Sequence, residues 1–211
     1  MIELRDVSIT SGSFRLSEVS LTLKSGEYVA LMGRTGQGKT TILEAIAGLR
    51  TVTGGQIIID SVEVTRQPPA RRGVGYVPQD LALFPTMTVR ENLEFALRIR
   101  HTPDSLRINA LADWLDITPL LNRSVAQLSG GEAQRTALGR ALSFEPKVLL
   151  LDEPFSALDE DTRLEMHRLM ASVREKTGVT VLHVTHNRSE ALALADRVLV
   201  VEDGAVRCLA S

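Results

Sequence analysis

The sequence is poor in several things that would each point to a function. It holds one cysteine, Cys208, which can form no disulfide within the chain and suits a reducing compartment such as the cytoplasm. Basic residues are not in excess: 24 Lys and Arg stand against 26 Asp and Glu, a formal net charge of -2. That excludes the general positive field on which non-specific nucleic-acid binding depends, so no nucleic-acid partner is expected. Long apolar runs are missing too. The most apolar late stretch, 191–201, is broken by Asp196 and Arg197, and falls short of the roughly 18 residues a spanning helix needs. Residues 1–8 alternate apolar and charged side chains, which reads as a strand rather than a secretory signal. There is no internal repeat and no low-complexity tract. What is present, 211 residues of which 44% are hydrophobic, suffices for one domain with its own core. Any membrane attachment must then come through a partner.

Hydrophobic spacing places the elements. Stretches 2–9 and 19–23 alternate as half-buried strands do, and Ser11, Gly12 and Ser13 supply a turn between them, giving an antiparallel flap. Stretch 28–32 is a short apolar strand, followed by a glycine-rich turn and a helix with Ile42, Leu43, Ile46 and Leu49 on one face. A further strand is expected at 56–59, and Gln67, Pro68 and Pro69 followed by Arg71 and Arg72 read as a surface connection, because two prolines continue neither regular ladder. From 89 to about 143 the pattern is helical, with Leu93, Ala96 and Leu97, then Leu111, Trp114 and Leu115, at helical spacing. Runs 148–151, 179–184 and 198–201 are short and apolar, with a helical pattern at 161–173 between the first two. Such alternation predicts an α/β fold with a mostly parallel sheet.

Three segments carry chemistry. Gly33, Arg34, Thr35, Gly36, Gln37, Gly38, Lys39 and Thr40 fit G-x-x-x-x-G-K-[ST] in full, between a predicted strand and a predicted helix. In that context the glycines let backbone N–H groups converge on phosphate at a positively polarised helix start. Lys39 would bridge β- and γ-phosphates, Thr40 would ligand Mg²⁺, and Thr41 completes the nucleotide-contacting set. Asp152 and Glu153, followed by Pro154, end an apolar strand. One acid would serve the metal and the other would deprotonate or orient the attacking water; the bland alternative is a solvated strand end. Finally, Leu128, Ser129, Gly130, Gly131 and Glu132 precede a helical pattern. Ser129 and Glu132 have capping-box spacing, but two adjacent glycines are costly in a plain cap and would suit close approach of backbone N–H groups to an anion.

With these residues in hand, the chain resembles the nucleotide-binding domain of ABC ATPases over essentially its whole length. The 33–40 segment looks like Walker A, 128–135 like the family signature and 148–153 like Walker B; 156–159 matches the D-loop, His186 the switch histidine and Gln79 the Q-loop glutamine. The resemblance implies a P-loop NTPase with an N-terminal antiparallel flap and an inserted helical subdomain, divided as core 1–87 and 146–211 and helical part 88–145. It implies ATP and Mg²⁺ as cofactors, with Thr40, Gln79 and Asp152 about the metal. Glu153 would be the general base and His186 the γ-phosphate sensor. Lys39 and Gln79 would complete the catalytic set, with Gln79 linking Mg²⁺, water and a partner.

Two copies would sandwich two nucleotides head to tail, with Ser129, Gly130 and Gly131 acting in trans and Asp159 connecting the sites. The resemblance further implies integral membrane permease subunits, an extracytoplasmic solute-binding protein and a place on the cytoplasmic face of the membrane. Similarity is strongest to ATPases of small-solute importers, such as those for molybdate, tungstate, sulfate or thiamine. Ending at Ser211, the chain is read as lacking an extra C-terminal regulatory domain.

Some points stay open at this stage. Leu81, Leu83, Phe84 and Met87 crowd a proline-containing loop, either as an interface for a coupling helix or as packing inside the helical part. The usual adenine-stacking ring aligns with Ser11, and Phe14 is the nearby substitute. Gln37, Pro78 and Asn187 also depart from common family choices without removing a named chemical group. A DNA-repair type ATPase would carry a long insertion where only 80–127 lie here, and a non-hydrolysing switch module would lack Glu153 or His186. His183 stands in the same predicted strand as His186 without a motif role.

Overall fold

The computed structural model describes residues 1–11, 14–202 and 204–209. Gly12 and Ser13 of the expected turn, and the side chain of Ser11, lie outside the described residues. The chain begins with β1 (Ile2–Ser11), β2 (Phe14–Leu23), β3 (Tyr28–Gly33), α1 (Lys39–Ala47), β4 (Val52–Ile59), β5 (Val62–Glu63) and β6 (Val74–Val77). A helical stretch follows, with α2 (Val89–Ile99), α3 (Ser105–Trp114) and α4 (Gly130–Leu142). It closes with β7 (Val148–Asp152), α5 (Glu160–Thr177), β8 (Thr180–Val184), α6 (Arg188–Leu194), β9 (Arg197–Glu202) and β10 (Ala205–Cys208).

These strands build two sheets. The first, in the order β2-β1-β4-β5, is antiparallel throughout. The second runs β10-β9-β3-β8-β7-β6; all its pairs are parallel except β10 on β9. Side-chain parity explains how one apolar run serves two cores. In β7, Leu149 and Leu151 join the helical side, packing with Leu93, Ile108 and Phe155. Val148 and Leu150 turn the other way, toward Ile42, Ile46 and the antiparallel sheet. Every residue of β7 and β8 is buried, so neither strand could show the polar alternation of a one-sided sheet.

The expected α/β architecture is therefore present, with local differences. Strand β6 was not legible because its four residues include Gly75, and glycine weakens a strand signal; β5 and β10 are similarly short. Strand β4 starts four residues before the expected stretch. Leu49 is not on the buried face of α1: the helix ends at Ala47, Gly48 follows at φ 85°, and Leu49 is exposed. The proline segment is only partly a surface connection. Pro69–Arg71 form a single 3₁₀ turn, and Arg72 is buried at 5% exposure. Its guanidinium donates to the carbonyls of Ala45, Ile46, Thr65 and Gln67, satisfying the carbonyls that the end of α1 leaves open.

Candidate functional site

The phosphate loop is built by what its residues cannot do. Gly38, at the start of α1, sits at φ 90° and offers no side-chain cap, so the first-turn N–H groups of the helix point into open space. A Cβ there would lie 2.8 Å from the tips of the Phe14 and Leu16 side chains, and the positive φ favours glycine in any case. Lys39 is buried, and its Nζ donates to the carbonyls of Gly33 at 2.9 Å and Arg34 at 3.0 Å. One ammonium is thus folded across the loop beside a helix N-terminus, the electrostatics that suits bound phosphate.

The neighbouring strand ends complete the charge pattern. Thr40 Oγ1 donates to Asp152 Oδ1 at 3.2 Å. Burial pushes the Asp152 carboxyl above the usual range, opposed by the Thr40 hydrogen bond and the Lys39 charge. Tyr76, on β6, also reaches this carboxylate, and its hydroxyl is raised first by burial and then by the Asp152 charge. A hydroxyl and one carboxylate are hard oxygen donors, matching an ion that takes few protein ligands and completes its shell with phosphate and water. Among the described residues, no group of three or more His, Cys, Asp or Glu is gathered to hold a metal, so Mg²⁺ fits better than a cation needing a full protein cage.

Glu153 follows in a left-handed conformation, φ 46°, held by its N–H to the Val184 carbonyl at 2.9 Å. That turn aims its carboxylate at His186, whose Nδ1 lies 3.1 Å from Glu153 Oε2. A cavity of about 380 Å³ is lined by Phe14, Thr35, Gly36, Gly38, Lys39, Thr40, Thr41, Gln79 and Glu153. Of the expected cis residues, Thr35, Gly36, Gly38, Lys39, Thr40, Thr41, Gln79 and Glu153 meet here beside Phe14, whereas Gly33, Arg34, Gln37 and His186 line a separate cavity of about 540 Å³.

The glycine-rich signature segment is elsewhere. Ser129, Gly130, Gly131 and Asp159 line a separate cavity of about 630 Å³. Ser129 caps α4 in a reciprocal capping box with Glu132, and Asp159 caps α5 through Thr162. A Cβ on Gly131 would come within 2.9 Å of Thr162, so close packing of α4 on α5 is one reason for that glycine. In the apolar loop, Leu81 and Leu83 pack against the helical core. Phe84 stacks on Phe95 at 4.3 Å, and Arg140 donates to the Leu81 and Ala82 carbonyls.

The family model described as ABC transporter matches residues 16–156. The chain belongs to the ABC transporter family. The ABC chain is 43% identical to the sulfate/thiosulfate import ATP-binding protein CysA 2 of Agrobacterium fabrum, over 97% of its own length and 62% of that protein's. It is also 43% identical to the molybdate/tungstate import ATP-binding protein WtpC of Thermococcus kodakarensis, over 90% of its length and 59% of the relative's. It therefore spans about three-fifths of the length of these curated relatives. Among solved structures, a dimeric bacterial ABC transporter cassette, MJ0796, superposes with TM-score 0.87 at 30% identity, each chain covered in full. The fold of the ABC chain is thus that of the family's cassettes, flap, parallel sheet and helices included. No helix among its described residues is long and apolar enough to cross a membrane.

Proposed function

We propose that this chain is the ATP-hydrolysing subunit of an importer for a small oxyanion, working as a head-to-tail pair. The observation that carries the reading is the single cavity that joins Lys39, Thr40 and Glu153, with Asp152 and His186 bonded to its edge. The relatives are named for import of sulfate, thiosulfate, molybdate or tungstate, all tetrahedral oxygen-rich anions, and that shared chemistry is our choice of solute class. Integral permease subunits and an extracytoplasmic binding protein would supply the solute path, placing this chain at the cytoplasmic face. Residues 1–87 and 146–211 would form the nucleotide-binding core and 88–145 the helical part that meets the permease.

Each named residue has a physical task. Lys39 and the N–H groups of the 33–40 loop bind and orient the β- and γ-phosphates. Thr40 and Asp152, with Gln79, would hold Mg²⁺, whose charge neutralises the triphosphate and polarises it toward attack. Glu153 takes a proton from the attacking water, and His186, kept in register by its bond to Glu153, holds the γ-phosphate side. Ser129, Gly130 and Gly131 line a different cavity from Lys39, and in the pair a second copy would bring them over the triphosphate, with Asp159 beside them. Closure on ATP and reopening after hydrolysis would move the attached permease between states.

The test is steady-state ATP hydrolysis by the purified chain with Mg²⁺. Turnover that disappears in Glu153→Gln while nucleotide binding persists supports the reading; turnover unaffected by that change refutes it. Recovery of an integral permease on affinity purification from native membranes tests the transporter assignment separately.

A further inference from the structure

His183 and Glu190 take no part in the chemistry above, yet both are buried, at 0% and 3% exposure. They flank the turn that carries His186, His183 in β8 before it and Glu190 in the first turn of α6 after it. Thr185 Oγ1 accepts from the Asn187 N–H at 3.0 Å. Asn187 Oδ1 in turn accepts from the Glu190 N–H at 3.2 Å. His186 stands between Thr185 and Asn187 in the chain, its side chain exposed and bonded to Glu153. The turn is tied inward as well. Glu190 Oε1 lies 2.8 Å from His183 Nε2, a close but bent contact that leaves this nitrogen without a well-aligned acceptor.

The opposite His183 nitrogen, Nδ1, is 2.9 Å from the Tyr28 hydroxyl. With Nε2 facing a carboxylate, the proton belongs there and the Tyr28 O–H donates to Nδ1. Tyr28 begins β3, the strand that ends in the phosphate loop. Burial alone would raise the Glu190 carboxyl, but the adjoining His183, Thr185 and His167 side chains outweigh it and bring it below the ordinary value. Glu190, Thr185, Asn187 and His186 line one small cavity of about 70 Å³ together with Glu153.

We propose that Glu190 is a positioning residue for His186: its N–H on Asn187 and its buried carboxylate against His183 fix the 185–187 turn and so hold the imidazole beside Glu153. An apolar residue could anchor α6 more cheaply than a buried carboxylate, but it could not pair with the His183 imidazole. This inference rests on the role given to His186 in the ATPase reading.

The test uses the full chain with Glu190→Ala and Glu190→Gln, followed by steady-state kinetics and by imidazole NMR of His186. The alanine variant should lose about tenfold or more in kcat while KM for MgATP stays within about twofold, because the orienting group is lost and the phosphate cradle is not. Glutamine keeps the volume and an acceptor, and should recover part of that loss. In Glu190→Gln the His186 ring resonances should shift while the rest of the spectrum remains that of a folded protein. Unchanged kcat in both variants, or unmoved His186 resonances, would overturn the proposal. If the alanine variant does not fold, the glutamine variant decides through the same resonances. Should the wild type prove unable to hydrolyse ATP, the ATPase reading falls, and the resonances still judge the contact between Glu190 and the His186 turn.

Discussion

Burial raises the Asp152 carboxyl, and the sign of its effect on stability follows. A folded state that prefers the neutral acid is stabilised below the ordinary aspartate range, and that contribution is lost as pH rises through the folded pKa. At neutral pH the unliganded protein therefore keeps a disfavoured carboxylate under Thr40. Asp152→Asn should melt higher than the wild type at pH 8 without nucleotide or metal, with the gap closing as the pH falls toward about 4. A lower melting temperature at pH 8 would contradict this. The same variant should lose Mg²⁺-dependent turnover by about a hundredfold or more. Arg72 is the opposite case, a buried cation whose guanidinium is pushed down by burial and whose partners are all carbonyls. Arg72→Ala leaves several buried acceptors unpaired and should cost about 3 kcal/mol in urea unfolding. Arg72→Lys should restore little, because an ammonium cannot fork to the same set.

Two helices start with the same device. Thr88 and Glu91 form a capping box on α2, as Ser129 and Glu132 do on α4. Only the second is followed by two glycines, and it lines a cavity. The pair therefore separates capping from anion binding. Thr88→Ala and Ser129→Ala should each cost about 1 kcal/mol of stability, while Ser129→Ala alone should impair ATP-dependent association and turnover. Equal losses of turnover in the two variants would make the signature a cap and nothing more. The sequence showed the Ser129 box through its spacing. It did not show the packing reason for Gly131, because Thr162 lies on a distant helix that only the fold brings alongside.

At the level of the whole molecule, one chain holds one phosphate loop and one signature segment, in different cavities. A hydrolytically blocked Glu153→Gln chain should elute as a dimer with ATP and as a monomer without it. Dimerisation that ignores ATP, or a monomer under both conditions, would count against the sandwich. Comparable ATP and GTP turnover, lost together in Lys39→Ala but little altered in Phe14→Ala, would show that the Phe14 ring does not select the base.

The sequence by itself determined the chemistry whose parts are contiguous. The phosphate loop needs a fixed spacing of glycines and Lys39, the acidic strand end follows directly from an apolar run, and the capping box spans four residues; each is a local physical pattern. The tertiary structure alone decided what depends on residues far apart in the chain meeting in space. It put Phe14 against Gly38, Tyr76 on Asp152 and Arg72 under α1, and placed His183 and Glu190 beneath the switch turn. None of these has a periodic or spaced signature, because a buried polar contact is set by which strands pair and which faces they bury, and that is settled only when the two sheets and the helices pack together.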